Sequence, residues 1–237
     1  MKKIISSMVE FLCALHTKKN LVAVSFGIRN LVMVGGEVKF YKLRTELATE
    51  EGVKKDFVAL RNFLNMHLFA SSLVPPQMTE FLNLLRSNNI RSCQSWLPKH
   101  IALMGHIETI EFGRRFYEIS NTFQGMGSYA EQAYKKAVAR LGSNQNWTKK
   151  LKDPRCKALQ DCFNGHRCRY KDTSPDDNIV NHEMIKCWRH TCTHMREKLK
   201  QGSHVIDAIL MDVFGEKIAQ FQVLLSQKCI LHRFLNY

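Results

Sequence analysis

Apolar residues recur at helical spacing through most of this chain. Near the start, Ile4, Ile5, Met8, Val9, Leu12 and Leu15 fall on one face, which predicts an amphipathic helix. Leu21–Val34 is nearly continuously apolar and fits a buried helix or a strand. Gly35-Gly36 then separates it from an alternating run at Val38–Leu43, the signature of a hairpin. Lys54–Phe69 places Phe57, Leu60, Leu64 and Leu68 on a single stripe, with Val58 and Phe63 beside it. Pro75-Pro76 closes that region and opens a helix over about Met78–Arg86.

Residues 90–128 show no dominant period. Tyr129–Leu141 does, with Ala130, Ala133, Tyr134, Ala137 and Leu141 inward and Gly142 placed to cap the end. A polar linker, Gly142–Asn146, follows. The last long element runs from about Val205 to Phe234, with Ile206, Ile209, Leu210, Val213, Ile218, Phe221, Leu224 and Leu225 forming its stripe and Gly215 a possible break. That stripe is more apolar than a small module needs, so self-association through it is a second use. The pattern predicts a mainly α protein: a helical chain with at most one short β-hairpin near 30–43 and a small Cys/His module packed on a long C-terminal helix. Its expected division is a helical domain at 1–142 and a basic Cys/His module plus C-terminal helix at 150–237.

Charge changes the picture. Thirty-five Lys and Arg against 21 Asp and Glu leave +14 with His neutral, an excess that favours polyanions. It is concentrated: between Lys135 and Lys171 eleven cations face only Asp153 and Asp161, so 11 − 2 leaves +9. The candidate phosphate contacts are Lys135, Lys136, Arg140, Lys149, Lys150, Lys152, Arg155, Arg167, Arg169 and Lys171, with Trp147 and Tyr170 as rings able to stack on unpaired bases. Trp188, close by, is either a third stacking ring or a core residue.

The same region holds an unusual density of soft ligands. Nine of the 39 residues from Cys156 to His194 are Cys or His, as many as in the remaining 198. Cys187, His190 and His194 share one face of a helix expected from Ile179, and Cys162, His166 and Cys168 lie on the arm before it. Cys162, Cys168, His190 and His194 form the expected Cys₂His₂ zinc site, with His166 and Cys187 as alternates. Reduced core thiols and disulfides are the competing uses of these cysteines.

Other chemistry is not signalled. There is no phosphate-binding glycine loop, no Gly-x-Ser-x-Gly elbow and no His-Glu-x-x-His, and the sequence supports no enzyme assignment. Ser6, Ser7 and Glu10 interrupt the leading apolar run, and no stretch reaches the length of a membrane span. The expectation is an intracellular protein, cytoplasmic or nuclear, that uses zinc to shape a sequence-nonspecific RNA- or DNA-binding segment, RNA being the expected partner. The alternatives are a self-assembling structural protein of viral nucleocapsid or matrix type, an oligomer that coats RNA or an acidic membrane face, and a secreted helical disulfide protein.

Overall fold

A computed structural model describes residues 1–70, 73–122, 128–141, 150–153, 156–157, 159, 184–185, 187–188, 191–192, 203–228 and 230–235. The fold is mainly α. The chain forms two compact units, Met1–Leu103 and Met104–Tyr237. This division falls well before the polar linker, and the linker itself lies outside the described residues.

In the first unit, α1 (Lys2–Lys18) buries Ile5, Met8, Val9, Leu12, Cys13, Leu15 and His16, close to the expected stripe. After it come β1 (Leu21–Ala23), a 3₁₀ turn at Ile28–Asn30, β2 (Leu31–Val34), β3 (Glu37–Phe40) and β4 (Thr45–Leu47). Strands β2 and β3 make the expected hairpin, with Leu31 opposite Phe40 and Val34 opposite Glu37. Gly35 and Gly36 both have positive φ, +59° and +81°, which is what a two-residue turn matching the strand twist requires.

A second ladder was not expected: β1 pairs antiparallel with β4, Leu21 opposite Leu47. The apolar run Leu21–Val34 is therefore neither one helix nor one strand. Asn30 breaks it, its side chain accepting from the Gly27 N–H and donating toward the Tyr41 and Lys42 carbonyls. Next comes α2 (Glu50–His67), capped by the Thr49 hydroxyl accepting from the Gly52 N–H at 3.0 Å. Helix α3 (Pro76–Leu84) and the short α4 (Ile90–Cys93) complete the unit, with Phe81, Leu82, Leu85 and Trp96 in its core.

The buried pair of His16 and Asp56 ties these pieces together. His16 Nε2 lies 2.8 Å from Asp56 Oδ2, and the same oxygen accepts from the Ala23 N–H at 2.8 Å. One carboxylate thus joins α1, β1 and α2. His100 is also fully buried, between Phe81 and Trp96, with its Nδ1 accepting from the Ala102 N–H at 3.2 Å. Burial pushes its pKa down to about 3, so it is a neutral ring.

The second unit is helical throughout its described residues. Helix α5 (His106–Thr122) starts where Glu108 accepts from the Gly105 N–H at 2.7 Å. Its outer face carries Arg114 and Arg115 paired with Glu111, and Arg114 with Glu118, at helical i, i+3 and i, i+4 spacing. Helix α6 (Tyr129–Ala139) is capped by Ser128. Helix α7 (Ser203–Gln227) passes through Gly215 without a break, and α8 (His232–Leu235) follows.

Helix α7 packs against both α5 and α6. Leu210, Val213, Phe214, Ile218, Phe221 and Leu225 are all buried. Most of the expected stripe therefore packs within the unit, while Ile209 and Leu224 are half-buried. At its centre Phe116 lies 5.9 Å from Trp188, 5.3 Å from Phe221 and 6.2 Å from Tyr134, ring centre to ring centre. Such aromatic contacts favour tilted and edge-on packing like that found here. Among the described residues, no helix is long and apolar enough to cross a membrane.

Candidate nucleic-acid interface

The two faces of α6 divide cleanly. Ala130, Ala133, Tyr134, Ala137 and Val138 are buried, whereas Lys135, Lys136 and Arg140 are exposed. Alanines on the inner face leave room for α7 to lie close, since helix separation depends on the side chains at the contact. Three polar contacts set the direction. The Tyr129 hydroxyl donates to the Lys228 carbonyl at 3.4 Å, and Lys217 Nζ donates to the Leu141 carbonyl at 2.6 Å. Lys150 Nζ donates to the Asp212 carbonyl.

As the chain goes up from 129 to 150, its partners on α7 go down from 228 to 212. Helix α6 therefore runs antiparallel to α7. Lys217 is buried, and its ammonium sits at the C-terminal end of α6, where the carbonyls lack helical partners. A buried lysine here serves to hold α6 in place and is not itself a polyanion contact.

Of the expected phosphate contacts, Lys135, Lys136, Arg140 and Lys152 are exposed and Lys150 is half-buried. Lys157 is exposed as well. Lys135 is engaged by Glu131 at 2.6 Å, an i, i+4 pair in which the lysine is exposed and the glutamate largely buried. Lys149, Arg155, Arg167, Arg169, Lys171, Trp147 and Tyr170 lie outside the described residues. Trp188 is fully buried against Phe112 and Phe116, and its ring is unavailable for stacking on a base.

The expected zinc ligands Cys162, Cys168, His190 and His194, and the alternate His166, also lie outside the described residues. The alternate Cys187 is described: it is 2% exposed, next to Trp188, in the core of the second unit. Among the described residues, no three Cys, His, Asp or Glu side chains gather as a metal site would require. The described cysteines, Cys13, Cys93, Cys156, Cys187 and Cys192, are buried thiols.

Burial pushes the Cys13 thiol up to about 12, with Glu10 adding to the shift, and burial raises Cys192 further still. Neither is a thiolate near neutrality, so neither is an activated nucleophile. Cys192 has a packing role instead. A Cβ placed on Gly113 of α5 would meet its sulfur at 2.5 Å and the Trp188 ring at 3.2 Å. Only glycine allows this approach.

The His16–Asp56 pair was missed by sequence reasoning, although a signal exists. Asp56 falls on the same α2 face as Val53, Phe57, Leu60 and Leu64, where a lone acid needs a partner. The chain was compared with protein-family models, with curated proteins and with solved structures, and it matches none of them.

Proposed function

We propose that this protein binds nucleic acid, RNA being the expected partner, without sequence specificity and through the segment 135–171. The observation that carries this reading is the outward row Lys135, Lys136 and Arg140 on α6, continued by Lys152 in a stretch of net +9. Tethers from α7 to the Leu141 carbonyl and from Lys150 hold the described part of that row to a rigid helix. Cations on a fixed element lose less freedom on meeting a phosphate backbone than cations on a free tail. Zinc held by Cys162, Cys168, His190 and His194 belongs to the same proposal, as the element that shapes the rest of the segment.

Binding to a single-stranded RNA should weaken linearly on a log–log plot against salt. The slope should fall by roughly 1 for each contacting cation removed in Lys136→Ala, Arg140→Ala and Lys152→Ala. An affinity indifferent to salt, or unchanged in the triple variant, would overturn the reading. The zinc component is tested by native mass with and without a chelator, where a mass unchanged by the chelator removes it.

A further inference from the structure

Strand β2 of the hairpin exposes apolar side chains on both faces. Cross-strand partners share a face, so Val32 and Val34 lie with Lys39 and Glu37, while Met33 lies on the opposite face with Val38. On β3 that second face is well covered: Phe40 stacks on Phe11 of α1 at 4.2 Å, and Val38, the partner of Met33, is buried. On β2 the cover ends. Val32, Met33 and Val34 are 47%, 55% and 55% exposed, beside the Gly35-Gly36 turn.

A patch on one face would suit a flat partner. An exposed strand with apolar side chains on both sides suits insertion into an apolar phase.

The hairpin as a whole, base included, is cationic. Between Ile28 and Arg44 the charges are Arg29, Lys39, Lys42 and Arg44 against Glu37 alone. Lys39 pairs with Glu37 at 2.7 Å. Lys3, from the first turn of α1, is near enough that it joins Lys39 in holding the Glu37 carboxyl below the usual carboxylate range. The acid beside the turn is thus offset by its neighbours, and Arg29, Lys42 and Arg44 are exposed with no ion pair among the described residues.

We propose that this hairpin is a membrane-docking wedge that inserts Val32, Met33 and Val34 among the lipids of an anionic bilayer surface while Lys3, Lys39 and Lys42 meet the headgroups. A weak apolar anchor combined with several cations is the pairing that peripheral attachment to such surfaces requires. A second copy of the chain fits less well, since it would bring one set of cations against another. Nucleic acid fits the cations but leaves the apolar strand with no counterpart.

The test uses the full chain and sedimentation with two kinds of vesicle, phosphatidylcholine alone and phosphatidylcholine with about one-third phosphatidylserine. Binding is expected to the second kind only. The double variant Met33→Glu/Val34→Glu should bind roughly tenfold more weakly or worse, and Lys39→Ala roughly fivefold more weakly. Because these side chains are exposed, helical circular dichroism should be unchanged, and the cations of 135–171 remain intact, so RNA binding should persist.

As a positive readout, the Met33→Trp variant should show blue-shifted emission that brominated lipid quenches. Undiminished vesicle binding by the double variant would overturn the proposal, as would unshifted, unquenched emission. A vesicle-free dimer that the double variant abolishes would overturn it in favour of self-association.

Discussion

The two units bury their interiors in different ways. The first closes its interior with polar anchors as well as apolar packing: Asp56 bonded to His16 and the Ala23 N–H, and His100 held neutral between aromatic rings. The second closes around Phe112, Phe116, Tyr134, Trp188 and Phe221. Their surfaces differ in the opposite sense. The first unit exposes apolar side chains on a hairpin strand, whereas α6 of the second exposes a row of cations. Both interiors also bury polar side chains, Lys217 among them in the second, so the contrast lies in what ties each centre together: a shared carboxylate in the first unit and an aromatic cluster in the second.

The largest expected effect lies in the aromatic core. Phe116→Ala should cost about 4 kcal/mol, read as lost amide protection in α5, α6 and α7 by peptide-resolved hydrogen exchange. Protection in α1 and α2 that fell equally would break the distinction between the units. Asp56→Ala should cost about 3 kcal/mol, because it strands the buried His16 Nε2 and the Ala23 N–H together. The double variant Asp56→Leu/His16→Leu should recover part of that loss, and a double variant as unstable as the single one would mean packing dominates there. Gly113→Ala should cost about 2 kcal/mol by driving α5 away from Cys192 and Trp188, measurable as a lowered urea midpoint.

Acid should separate the units more gently. His100 has a folded pKa of about 3, below its ordinary 6.5, so the unfolded chain takes up a proton first. The stability it contributes is complete above 6.5 and is lost as pH falls from there toward 3. Glu111 is held down to about 2 by Arg114 and then Arg115, so what it contributes is complete above 4.5 and is lost as pH falls toward 2. Between pH 6.5 and 4.5 the first unit should therefore loosen before the second. His100→Gln should flatten that decline in α3 and α4, and an unaltered decline would assign it to other groups.

Legibility in the sequence followed the strength of the local signal. Helices α1, α2, α6 and α7 and the Gly-Gly hairpin were readable because each has a stripe or a turn of its own. The β1–β4 ladder was not, since three-residue strands with an exposed Leu47 carry no alternation. Helix α5 was missed because its inner face mixes Thr109 and Gly113 with Phe112 and Phe116. The exposure of Lys135, Lys136 and Arg140 was legible from α6 alone. Core packing was already one reading of Trp188 from sequence, but its partners Phe112 and Phe116 were not legible, because they lie far away along the chain.

The placement of α7 also bears on how the protein is made. Helices α5 and α6 leave the ribosome long before Phe214, Phe221 and Leu225, the side chains that cover them. The first unit holds its own partners within about a hundred residues and can close while synthesis continues. The second must wait for Phe221 of α7 before Phe116 and Tyr134 gain their full cover. A nascent chain stalled before α7 would carry a finished first unit beside an open aromatic face, and that is the stage at which a chaperone has most to protect.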